Sequence, residues 1–143
     1  MSTTYEDIYN KFTPLIEDIK LLSLDDQDVL DMMKEWLIGA IGDYIKCPYD
    51  LSQRDDDAET FSIDIPEFDQ KILARYMVTE WVRPQLNSTL LTRQFFGGNE
   101  EKFFAQSNQI EKLQALLTDN EIRVQKLIRD KGYMKNFINT TST

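Results

Sequence analysis

Apolar positions recur at three- and four-residue steps along most of the chain, the spacing of helices that each bury one face. Ile8, Phe12 and Leu15 follow Thr4, a suitable N-cap with Asp7 three residues on, and Pro14 predicts that this first helix breaks or restarts there. A second helix carries Val29, Met33, Trp36, Ala40, Ile41 and Tyr44. Ser23 or Asp25 can cap it, Asp25, Asp26 and Asp28 suit the positive end of its dipole, and it should end before Pro48. Pro66 is placed to open a third helix with Ile72, Leu73, Tyr76, Met77 and Trp81 on its apolar face, ended or kinked at Pro84. A loop is expected over 85–98, with an apolar patch of Leu90, Leu91, Phe95 and Phe96 before Gly97-Gly98. Asn99 can cap a fourth and longest helix, which Gly132 should stop. Its a series is Phe103, Ile110, Leu117, Val124 and Lys131, and its d series is Gln106, Leu113, Asn120, Leu127 and Met134. Asn120 is a polar residue in that seam, where it costs stability and fixes register. The helix either packs on helices two and three alone or also touches neighbouring copies.

Residues 48–66 break the helical pattern. Thr60 to Ile65 alternates, with Phe61, Ile63 and Ile65 on one face, which predicts a short strand. Tyr49 and Leu51 could pair with it as a hairpin; otherwise its edge needs a strand from another chain. Beyond Gly132, Tyr133, Met134, Phe137 and Ile138 are apolar, and Thr140 to Thr143 is a polar end expected to be disordered. The expected fold is therefore mainly α: a small helical bundle of residues 1–132 with one long C-terminal helix, a short strand or hairpin near 60–65, and an extended C-terminal tail over 133–143.

Composition narrows the function. The 143 residues suit one domain, and with no histidine and a single cysteine, Cys47, imidazole chemistry, an intrachain disulfide and a cysteine-rich zinc site are excluded. The net charge of −9 is uneven, −11 over residues 1–66 against +2 over the remainder. Such a chain is a poor phosphate-backbone binder, but the asymmetry could orient subunits head to tail or turn an acidic surface toward passing DNA. Asp55, Asp56 and Asp57 lead that acidic surface, facing a channel or solvent, and their reversal to Lys is expected to leave the fold intact. They lack calcium-loop spacing, so no metal is assigned to them. The N-terminus has no basic or apolar leader pattern and the longest apolar run, Trp36 to Ile41, is too short to span a membrane, so a soluble chain made in a cytoplasm is expected.

No catalytic constellation emerges. Cys47 has no base to activate it, Gly97-Gly98 lacks the phosphate-loop pattern, and Glu100-Glu101 diverge on a helix. Trp36 and Trp81 belong to apolar helix faces. Phe95, Phe96, Phe103 and Phe104 bracket Gly97-Gly98, and not all four can face one small core, so one pair is expected to pack outside the monomer.

Several stretches resemble small virion proteins of tailed phages infecting Gram-positive bacteria. They are Met77-Val-Thr-Glu-Trp-Val-Arg-Pro-Gln-Leu-Asn-Ser-Thr-Leu-Leu91, Gln94-Phe-Phe-Gly-Gly98, Phe104-Ala-Gln-Ser-Asn-Gln109 and Arg129-Asp-Lys-Gly-Tyr133, with Tyr5-Glu-Asp-Ile-Tyr9, Trp36-Leu37 and Asp50-Leu-Ser52. The likeness spans about residues 4–133. It implies a head-to-tail connector located in the virion neck: a homo-oligomeric, dodecameric ring docked to the portal protein and joined to the next neck or tail protein. DNA would pass through its channel without specific binding. No membrane, cofactor or catalytic residue is implied. On this reading Tyr133, Met134, Phe137 and Ile138 contact the portal or a neighbour, and Phe61, Ile63, Ile65, Leu90, Phe95 and Phe96 serve contacts between subunits. The alternative is an acidic interaction or DNA-mimic protein that binds a basic partner; an enzyme is the least supported class.

Overall fold

The computed structural model describes residues 2–16, 26–96 and 100–141, with the side chains of 26–28, 88–96, 100–107, 109 and 133–141 outside the described set. Helix α1, Tyr5–Phe12, begins as its sequence dictates. The Asp7 amide donates to Thr4 Oγ1 (3.2 Å) and the Thr4 amide to Asp7 Oδ2 (2.9 Å), a reciprocal cap that satisfies two amides the helix leaves open. Tyr5, Ile8, Tyr9 and Phe12 share one buried face, and a 3-10 turn over Thr13–Ile16 follows at Pro14. Helix α2, Asp26–Asp43, buries Met33, Leu37 and Ala40, with Tyr44 just beyond its end. The expected cap residues Ser23 and Asp25 lie outside the described residues. Leu37, not expected on this face, is fully buried, whereas Trp36 is half-buried against Phe12, ring centroids 5.7 Å apart.

The expected strand exists, shortened, and its partners come from this chain. Strand β1, Arg54–Asp55, pairs antiparallel with β2, Thr60–Phe61, in the register Arg54 to Phe61 and Asp55 to Thr60. Glu59, at φ 55°, takes the left-handed conformation that closes the turn between them. The other edge of β2 is filled by the N-terminal segment. Phe61 N donates to Thr3 O (2.8 Å), Thr3 N to Ile63 O (3.1 Å) and Tyr5 N to Glu59 O (3.0 Å). Ile65 N donates to Thr3 Oγ1 (2.8 Å). Tyr49 is exposed and Leu51 is buried in the core; neither is the strand partner. Of the two expected ways to complete the strand, a hairpin or another chain, the hairpin is the one present, and the second edge is closed from within. Phe61 and Ile65 are 1% exposed in the chain's own core, which corrects their assignment to contacts between subunits, whereas Ile63 is half-buried against that core.

Helix α3, Glu67–Phe96, is the hub of the bundle, packed against α1, α2 and α4. Surrounded in this way, it buries Ile72, Leu73, Ala74, Met77, Val78, Trp81, Val82 and Leu86 around most of its circumference. It does not end at Pro84, and the expected loop over 85–96 is helical. Proline removes the donor that would reach the Glu80 carbonyl, but the helix continues and buries Leu86 beyond it. Burial of apolar side chains at ~1.5–3 kcal/mol each is enough to carry a helix past such a position.

Helix α4, Glu100–Thr141, runs antiparallel along α3 on the expected seam. Ile110, Leu113, Asn120 and Val124 are buried, and Leu116, Leu117, Leu127 and Ile128 pack at its edges. Asn120 fixes register: its Nδ2 donates to the Arg75 carbonyl (2.7 Å) and to Thr79 Oγ1 (2.9 Å). The expected stop at Gly132 is not a stop, since helical backbone continues to Thr141. Gly132 has no left-handed φ, and a Cβ built there meets nothing within 4 Å. It is therefore a weak point of the helix, not its cap. Gly132→Ala should gain up to ~1 kcal/mol and raise helicity by circular dichroism; a loss of stability would return Gly132 to the role of a cap.

Candidate functional site

The three aspartates singled out by charge are not equivalent. Asp55 Oδ1 accepts from the backbone amides of Asp57 (3.0 Å) and Ala58 (3.1 Å) and so shapes the turn between β1 and β2. Asp56 accepts from the Tyr5 hydroxyl and from Arg54 Nε (3.0 Å), tying the hairpin to α1. The Tyr5 hydrogen bond, with help from Arg54, holds the Asp56 carboxyl below the usual carboxylate range. Burial, reinforced by Asp56, pushes the Tyr5 phenol up. Asp57 alone presents an exposed side chain with no shaping role shown for it. The expectation that all three could be reversed together is revised accordingly. Asp56→Lys should cost ~1–3 kcal/mol by stranding the Tyr5 hydroxyl, while Asp57→Lys should leave the melting temperature unchanged. Thermal melts of the two single variants check this, and equal effects would contradict it.

One end of the bundle gathers polar side chains that the sequence pattern did not single out. There α2 ends, α3 begins and α4 passes Lys131. Asp69, whose side chain is 1% exposed, accepts from the Tyr44 hydroxyl (2.7 Å) and from Lys131 Nζ. The Lys131 ammonium also lies 5.9 Å from the Tyr44 ring centroid and 5.8 Å from that of Tyr49. Burial first, then the Asp69 hydrogen bond and charge, raise the Tyr44 phenol far above its ordinary value. A carboxylate so fully paired is a clamp between helices, not a base.

Lys131 meets Asp69 in the first turn of α3, so the helical backbone beyond Gly132 extends past the start of α3. The nine residues to Thr141 span about 14 Å at the helical rise. Tyr133, Met134, Phe137 and Ile138 stand on this extension, and Leu90, Phe95 and Phe96 stand on the distal part of α3; the side chains of all seven lie outside the described set. Near the same end, in the segment joining α2 to α3, Asp50, Asp64 and Glu67 are exposed, whereas the hairpin turn that carries Asp55 and Asp57 lies beside Leu30 and Met33 of α2. The most exposed large apolar side chain among the described residues, Ile45 at 89%, is in this region too.

A cavity of about 330 Å³ opens between α2, α3 and α4, lined by Asp43, Tyr76, Thr79, Arg83, Glu121, Val124 and Gln125. Next to it the Glu80 carboxyl is hydrogen-bonded to Asp43. The one sequence signal for this pair is an acidic residue, Asp43, ending α2, where the helix dipole disfavours negative charge.

Burial pushes the Cys47 thiol up, which disfavours the thiolate, and among the described residues no group of three or more His, Cys, Asp or Glu could hold a metal ion. No helix among the described residues is long and apolar enough to cross a membrane. No protein-family model matches the chain, and no curated relative or solved structure matches it.

Proposed function

We propose that the chain is a structural virion protein. In this reading it is a head-to-tail connector whose homo-oligomeric ring docks on the portal and joins capsid to tail around the DNA channel. The observation that carries the reading is the α4 extension: helical backbone running past the start of α3, with Tyr133, Met134, Phe137 and Ile138 at the i, i+1, i+4, i+5 spacing of one helix side. The sequence resemblance over about residues 4–133 supports it, as does the exposed acidic end, which repels phosphate and so suits a wall past which DNA must slide. The role asks for no catalytic group and no cofactor. Mixing the purified protein with portal rings should add a layer of density in negative-stain images, and the chain should be found in mature virions. Failure to bind portal together with absence from virions would end the proposal. In that case, cross-linking of the chain to a nucleic-acid-binding protein in infected cells would identify an acidic mimic instead.

A further inference from the structure

Two carboxyl groups, Asp43 on α2 and Glu80 on α3, face each other where these helices pack. The Glu80 head group lies directly on α2 at Gly39, where a Cβ would come within 2.5 Å of Glu80 Oε2; the glycine is the opening that admits it. Gly39 lies one helical turn before Asp43, so the two carboxyl groups meet on the same side of α2, where one can hydrogen-bond to the other only if it carries a proton. Asp43 Oδ2 is buried with no hydrogen-bond partner among the described residues, so the pair has no second donor there to spread its charge. The titratable and charged groups that line the adjoining cavity are Tyr76 and Arg83 from α3 and Glu121 from α4. Arg83 favours an ionised Glu80, and Tyr76 feels the Asp43 charge. No described cation reaches into the pair from α2 or α4 at this point.

We propose that Asp43 and Glu80 form a proton-operated latch. With one shared proton it holds the last turn of α2 against α3; with both groups ionised it releases that turn and the loop that follows. The Asp43 hydrogen bond, then burial, then the Asp43 charge push Glu80 up to about 7, so the release falls near neutrality. The sign follows from linkage. Between the ordinary glutamate range and about 7 the folded chain holds a proton that the unfolded chain has lost, so this pair's contribution to stability falls as pH rises and is flat above. The inference stands independently of the proposed connector role.

Glu80→Gln tests it, because the amide keeps a donor toward Asp43 and cannot ionise. Wild-type protein should melt about 5 °C higher at pH 5.5 than at pH 8, relative to the same difference in Glu80→Gln, and the variant should be the more stable of the two at pH 8. Hydrogen exchange over residues 39–47, corrected for intrinsic rates, should accelerate above pH 7 in wild type and not in the variant. Carbon-detected NMR gives a readout that does not depend on the variant folding well. A Glu80 carboxyl that titrates near 7 supports the latch, and one that titrates in the ordinary glutamate range overturns it. Parallel pH profiles of wild type and variant would overturn it as well.

Discussion

Lys131→Met should lower the stability of the protein by about 3 kcal/mol, the low end of what breaking a buried ion pair from one side costs. The reason lies in the asymmetry of the pair. The Asp69 side chain is 1% exposed, whereas that of Lys131 is 24% exposed, so removing the lysine strands a carboxylate with only the Tyr44 hydroxyl to support it. Some water can reach the vacated lysine position, which keeps the loss toward the lower limit. The melting temperature should drop by about 10 °C, and the urea midpoint should fall with its slope unchanged. Adding Asp69→Asn to the variant should restore most of the loss, since the amide oxygen still accepts from Tyr44 and no charge remains buried. A single-variant loss below about 1 kcal/mol would mean that the clamp behaves as a solvent-screened surface pair.

What could be read from the sequence was local, and what could not was set by residues distant along the chain. The Thr4–Asp7 cap and the α4 seam are local patterns; the cap is present as read, and so is the middle of the seam from Ile110 to Val124, with Asn120 anchored where a polar d position called for a partner, while the side chains of Phe103, Gln106 and Met134 lie outside the described set. The alternation from Thr60 identified a strand, yet nothing in it said that Thr3 to Tyr5 would fill its second edge, because that pairing joins segments far apart in sequence. At Pro84 a local breaker lost to tertiary burial, since a helix packed against three others gains more from continuing than one proline removes. Leu37 was missed because the bulk of Trp36 drew the expected stripe one position away: Met33, Leu37, Ala40 and Tyr44 form the one buried stripe, and Trp36 stands half-buried at its edge. Asp69 with Lys131, and Asp43 with Glu80, have no motif at all. Each is a product of which helix lies beside which, and only the fold brings the partners together.

Removal of residues 133–143 should separate the two roles of α4. Among the described side chains of α4, Val124 is the last that is buried, Leu127 and Ile128 pack at the edge, and Lys131 closes the bundle on Asp69. Because α3 begins opposite Lys131, the extension beyond Gly132 has no α3 turn beside it. The truncated protein should therefore stay folded, with a nearly unchanged melting temperature. If the connector proposal holds, the same truncation should abolish docking to the portal and yield DNA-filled heads without tails, since a helix presented to a groove binds through a few buried anchors. Phe137 and Tyr133 are the expected anchors, with Ile138 and Met134 secondary. Truncation also places a new chain end beside Lys131, where fraying could weaken the Asp69 clamp. A full-length variant with all four residues changed to Ala removes that ambiguity, because alanine strengthens the helix and leaves Lys131 inside it. That variant should match the wild type in thermal stability and the truncation in loss of docking. Normal docking by the four-alanine protein would move the contact surface off the α4 extension, and unfolding of it would make Tyr133, Met134, Phe137 and Ile138 part of the chain's own core.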